Sequence, residues 1–124
     1  EQLQRAQEIM KRIVAENLPH TEAEIQFNEG GYPPMDRTEE NKQLLTMFSQ
    51  VSQDLGMGAV DAVQPINAGA ADISFAADNV EAAIDGLGLS GGKDHTADEF
   101  GNLYLLEAAI KRAAILMYRL SEQK

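Results

Sequence analysis

Leu3, Ala6, Ile9, Met10, Ile13, Val14 and Leu18 recur at spacings of three and four, with Arg5, Glu8, Lys11, Arg12 and Glu16 between them. That spacing lines apolar side chains along one side of a helix, so an amphipathic helix is predicted over residues 3–18. Pro19 ends it, because proline has no N–H to continue the hydrogen-bond ladder. Ala23, Ile25 and Phe27 then alternate with Glu22, Glu24, Gln26 and Asn28, the two-residue period of a half-buried strand. A second helix is predicted from Thr38, whose hydroxyl suits an N-cap, with Glu39 and Glu40 complementing the positive end of the dipole. Its buried stripe is Leu44, Leu45, Met47, Phe48, Val51 and Leu55, and Gly56 closes it. Asn102 is placed to cap a last helix that buries Leu106, Ala109, Ile110, Ala113, Leu116, Met117 and Leu120.

Shorter elements lie between these helices. Val60–Ile66 reads as an extended segment or strand, and the small residues Asn67 to Asp72 form a tight turn into a short helical stretch around Phe75–Ala77. Ala82–Asp85 reads as a buried strand, followed by a loop opened by Gly86, Gly88, Gly91 and Gly92. The sharpest break is Glu29-Gly30-Gly31-Tyr32-Pro33-Pro34, where two glycines free in φ meet two prolines fixed in φ. A domain boundary is placed there, separating residues 1–30 from 31–124. Mixed helices and strands of this kind define an α/β chain.

Composition narrows the function classes. An apolar fraction of 44% with 24% charged residues belongs to a water-soluble globular chain, and no apolar run approaches the length of a membrane span. Twenty acidic side chains against ten basic ones give a net charge of −10, which repels phosphate backbones, so neither nucleic acid nor membrane is an expected partner. With no cysteine, any metal must be held by imidazole and carboxylate, and the compartment stays open, the cytoplasm slightly favoured over export. Glu1 stands inside a helical pattern instead of at an initiating methionine, which leads us to expect a piece of a longer protein.

Two histidines are present. His20 follows Pro19 in a polar turn and reads as a solvated surface residue. His95 follows Gly91 and Gly92 and precedes Thr96, Asp98 and Glu99 on the loop before the last helix; two readings fit it, a metal-ligating imidazole and a loop histidine that caps the last helix. One imidazole cannot hold zinc alone, since such sites need three or four protein ligands. Neither a His-Glu-x-x-His helix, a nucleophile elbow nor a phosphate loop occurs, so residue chemistry leaves the chain without catalytic residues of its own.

Three segments, in order, resemble the M20 (glutamate carboxypeptidase-like) family of zinc exopeptidases. Gly30-Gly31-Tyr32-Pro33-Pro34-Met35-Asp36-Arg37-Thr38 looks like its interdomain hinge. Ala68-Gly69-Ala70-Ala71-Asp72-Ile73-Ser74-Phe75 resembles a turn in the substrate site, and Asp85-Gly86-Leu87-Gly88 through Gly91-Gly92, His95-Thr96 and Glu99-Phe100 resembles its histidine loop. The resemblance implies the C-terminal part of a zinc-exopeptidase-like catalytic domain, preceded by the last helix and strand of an α+β lid domain. It implies that His95 ligates one ion of a two-zinc site whose other ligands, and the catalytic glutamate, lie upstream. It implies substrate contacts from Tyr32, Gly69 and Ala70, with Asp72, Gly91, Gly92 and Glu99 supporting the site. Hydrolysis of a peptide or N-acyl amino acid by a metal-bridging water, and homodimerisation through the lid, follow as expectations of the same kind. The alternative is a non-catalytic binding or assembly module built on that fold.

Two departures bear on the substrate. Tyr32 stands where glutamate-releasing members carry an arginine able to grip a carboxylate, and Ala68 and Ala71 replace a glycine and a hydroxyl residue.

Overall fold

The computed structural model describes residues 2–28, 30–33 and 35–123, so Glu29 and Pro34 of the sequence break lie outside the described residues. The chain divides into two compact units, Glu1–Gly31 and Tyr32–Lys124. It is a small, mixed, helix-rich protein with one two-stranded sheet, loosely of the α/β class.

In the first unit, helix α1 spans Gln2–Val14 and stops before Pro19, with the chain already turning at Ala15. Lys11 and Arg12 occupy its last turn, where their charge suits the exposed carbonyls. Its apolar stripe is present as the spacing predicts, yet the helix buries none of its side chains: Leu3 is 70% exposed and Ile13 61%. The segment after it keeps the expected alternation only from Ile25 on, with Ile25 and Phe27 half-buried between exposed Glu24, Gln26 and Asn28 and Ala23 exposed. It forms no strand, because no neighbouring segment among the described residues pairs with its backbone. Phe27 instead receives the Lys11 ammonium 5.8 Å from its ring centre.

The second unit is organised by helix α2, Glu39–Asp54, and helix α4, Leu106–Ser121, with the single-turn helix α3, Ile73–Ala76, between them in sequence. Thr38 caps α2 as expected, its hydroxyl accepting the Asn41 N–H at 3.1 Å. Gly56, at φ 71°, ends the helix. Its N–H bonds to Gln53 O at 2.8 Å and the Met57 N–H to Ser52 O at 2.9 Å, the paired bonds of a left-handed C-terminal cap. Phe48 and Val51 of α2 meet Leu116 of α4 to make the core, with Leu44, Met47, Leu55, Val60, Ile84, Leu87 and Ile115 packed around it. Each such buried side chain contributes about 1.5–3 kcal/mol. Arg119 of α4 closes the same interface from outside, its Nη2 donating to Asp54 Oδ2 at 2.6 Å.

α4 differs from its expected burial. Ala109 and Leu116 are buried, but Ile110 is 58% and Met117 65% exposed, so its apolar stripe is wider than the surface α2 covers. Asn102 caps a preceding 3-10 turn, Leu103–Leu105, accepting the Tyr104 N–H at 3.1 Å, before the α-helix proper begins. The expected strands at residues 60–66 and 82–85 do not form among the described residues, and Pro65–Asn67 tightens into a 3-10 turn. Side chains of α2 take over the missing ladder bonds. Ser49 Oγ accepts the Val60 N–H at 2.9 Å, and Asn41 Oδ1 accepts the Ala83 N–H at 2.6 Å while its Nδ2 donates to Asp36 O at 2.7 Å. The sheet that does form was not legible in the pattern: β1, Gly91–Gly92, pairs antiparallel with β2, Phe100–Gly101.

Two α2 residues should respond oppositely to truncation. Asn41→Ala strips the partner from the half-buried Ala83 N–H and is expected to lower stability by about 1–3 kcal/mol. Ser52 is fully buried and its hydroxyl has no hydrogen-bond partner among the described residues, so Ser52→Ala is expected to be neutral or stabilising by up to about 1 kcal/mol. Urea midpoints of both variants check this, and a clear loss in Ser52→Ala contradicts it. A third expectation concerns acid. Hydrogen bonding from Gln50, then from Arg119, holds the Asp54 carboxyl below its ordinary value of 3.8. A depressed folded value means that the stabilisation is complete above 3.8 and is lost as pH falls through the lower folded value. The stability difference between the protein and Asp54→Asn should therefore shrink over that acid window, and a difference constant down to full protonation would refute the link.

Candidate functional site

β1 and β2 bring Gly91 and Gly92, both singled out in sequence, against Phe100 and Gly101. Gly91 pairs with Gly101 and Gly92 with Phe100, and the Asn102 N–H bonds to Ser90 O at 2.8 Å just outside the ladder, so residues 93–99 are held as a short loop closed at its base. A Cβ on Gly91 would lie 2.0 Å from Phe100 O, which only glycine avoids. Within the loop, the Lys93 carbonyl accepts both the Thr96 N–H at 3.2 Å and the Thr96 hydroxyl at 2.7 Å. The Glu99 N–H returns to Thr96 O at 3.2 Å, and Lys93 Nζ reaches Asp98 Oδ2 at 3.4 Å.

This network sets the backbone of His95 in an unusual place. His95 has φ 63° and Lys93 φ 59°, the left-handed region that costs a non-glycine residue about 1–3 kcal/mol. The Glu99 carboxylate accepts the His95 backbone N–H at 3.3 Å. It therefore orients the main chain and leaves the imidazole unengaged by any protein group among the described residues. His95, Asp94, Asp98 and Glu99 are all exposed.

The second set of candidates gathers at α3. Asp72 stands at the N-cap position but makes no capping bond with its side chain. Asp72 and Phe75 are three apart, so they share one side of the turn, and Phe75 meets Tyr32. The Tyr32 and Phe75 ring centres are 5.2 Å apart with the planes tilted by 56°, and the phenol is held above its ordinary value by hydrogen bonding to Asp72, reinforced by that carboxylate's charge. Gly69 and Ala70 are exposed on the approach to this turn, and a Cβ added at Gly69 would meet nothing within 4 Å. Phe75 is the member whose part the sequence did not indicate, since its contact with Tyr32 spans 43 positions.

Between the two sets no hydrogen bond, ion pair or aromatic contact occurs among the described residues. No group of three or more histidine, aspartate or glutamate side chains among them could hold a metal ion, so His95 has no co-ligands within them. His20 shares the left-handed backbone, at φ 63°, in its turn. An open groove of about 220 Å³ runs between α2 and Val60–Ala62, lined by Leu45, Ser49, Gln53 and Asp61, and includes none of the candidates. No helix among the described residues is long and apolar enough to cross a membrane.

Comparison with protein families, characterised proteins and solved structures finds no match to the chain.

Gly91→Ala should open the loop without dissolving the core. Forcing a methyl against Phe100 O costs about 1–3 kcal/mol or more, which the two-residue ladder cannot absorb. Amide exchange is expected to accelerate at Asn102 and His95 while α2 and α4 stay protected; unchanged protection at Asn102 would contradict the role given to this glycine.

Proposed function

We propose that the chain is part of a zinc-dependent exopeptidase or amidohydrolase of the M20 type, to which it contributes one metal ligand, His95, and part of the substrate wall around Tyr32, Gly69 and Ala70. The observation that carries this reading is the state of His95: a non-glycine residue kept in a strained backbone conformation by a glycine-locked hairpin and by Glu99, with its ring engaged by no protein group among the described residues. Strain of this kind persists where surrounding structure over-determines it, most often where a side chain must be aimed. The histidine loop, the turn at Asp72 and the hinge at Tyr32 supply the family pattern.

The residues present do not make a zinc site by themselves, so no catalytic step belongs to this chain alone. Its own residues position and bind. Glu99 fixes the main chain that carries the imidazole, Gly91 permits the hairpin, and the open backbone at Gly69 and Ala70 offers N–H and C=O groups to a peptide or an N-acyl amino acid. The further ligands and the catalytic carboxylate are assigned to a part of the protein outside these residues, as is the rest of a lid domain through which two copies would pair.

The uncovered stripe of α1 favours a second reading, a non-catalytic assembly module on the same fold, since a 13-residue helix that buries nothing is marginal in water unless another surface covers it.

One comparison separates the two. In the full-length protein, His95→Ala is expected to lower zinc content and to reduce amide hydrolysis by at least about 10-fold, the lower end of the effect seen for disrupted metal sites. Glu99→Gln keeps the hydrogen-bond acceptor and should retain the metal. Unchanged zinc and turnover in His95→Ala would sink the hydrolase reading. The 124-residue chain alone is expected to hydrolyse nothing.

A further inference from the structure

Tyr32 and Phe75 are 53% and 56% exposed, although their rings touch. Aromatic pairs of this geometry ordinarily lie within a core or an interface, where their large apolar area is removed from water. This pair is held open. Phe75 belongs to α3 and its N–H bonds to Asp72 O at 3.1 Å, while the Tyr32 ring packs on the Phe75 ring, so the pair lies beside Asp72. The rings thus present a preset apolar surface beside one negative charge. No cation is engaged there among the described residues: Arg37, the nearest basic residue in sequence to Tyr32, donates its guanidinium to the Val63 carbonyl.

We infer that Tyr32 and Phe75 form a selectivity surface for an uncharged aromatic side chain of the substrate, and that Asp72 excludes an acidic one. The inference rests on the hydrolase reading for the word substrate; the selectivity itself does not depend on it. A neutral ring entering beside Tyr32 and Phe75 adds an aromatic contact and removes exposed ring surface from water. A carboxylate in the same position gives up hydration, finds no cation and meets the charge of Asp72. The arrangement reverses the chemistry of an arginine at position 32, which would draw that carboxylate in.

Three probes with the same acyl and carboxylate groups, N-acetyl-phenylalanine, N-acetyl-glutamate and N-acetyl-alanine, isolate the side chain. Titrated into the whole chain and followed by the ring resonances of Tyr32 and Phe75, the phenylalanine derivative is expected to bind saturably and about tenfold more tightly than either of the others. Phe75→Ala should abolish that preference, and Tyr32→Phe, which keeps the ring, should retain it. Asp72→Asn should narrow the gap by strengthening glutamate binding without changing alanine binding, a response that a purely structural Asp72 would not give. Far-UV circular dichroism confirms that each variant is folded.

Equal affinity for the three probes, ring resonances that do not move, or an unchanged preference in Phe75→Ala would each overturn the inference. Its failure is separable from that of the hydrolase reading, because the ring response needs no metal. Zinc that depends on His95, combined with rings that do not discriminate, removes the inference alone. Discriminating rings in a protein without His95-dependent zinc uphold the aromatic surface and remove the hydrolase.

Discussion

The packing of Phe48 and Val51 against Leu116 is the contact on which the second unit depends. It fixes α2 relative to α4, and α2 is the element that every extended segment then uses. Ser49 accepts the N–H of Val60, and Asn41 ties Asp36 to Ala83, so the chain before α2 and the two segments after it are registered on one helix. Ile84 and Leu87 pack on the same core a few residues before the hairpin begins. The loop carrying His95 is thereby delivered from one side by residues 84–87 and from the other by α4. Loss of the α2–α4 contact would leave the hairpin with two ladder pairs and nothing to stand on.

Helices were the legible part of the sequence, for a local reason. Thr38, Gly56 and the stripe through Phe48 and Val51 are all settled within a turn or two of the chain, and they appear where the periodicity puts them. Strands are a different matter, because alternation states only that a segment has one dry side. Residues 24–28 keep their alternation and still form no strand, since a strand exists only with a partner beside it. The β1–β2 ladder illustrates the converse. Two-residue strands carry no period, and what fixes the pair is the close approach of the Phe100 carbonyl to Gly91, which nothing in the local sequence announces.

The candidate site divides along the same line. His95 and Glu99 are four residues apart on a glycine-flanked loop, and their association could be expected from spacing alone, although not that the carboxylate would take the backbone N–H in place of the ring. Tyr32, Asp72 and Phe75 come together through tertiary structure. Tyr32 and Asp72 lie 40 positions apart in the chain, and only the fold shows that Phe75, bonded through its N–H to Asp72 O, packs on Tyr32.

The outward stripe of α4 has a colloidal consequence. Ile110 and Met117 offer copies of the chain a mutual apolar attraction of short range, while the charge of −10 keeps those copies apart at longer range. Dissolved ions shorten the second force to about 8 Å at physiological ionic strength and leave the first almost untouched. Any association of copies through this stripe would therefore strengthen as the salt in the surrounding solution rises.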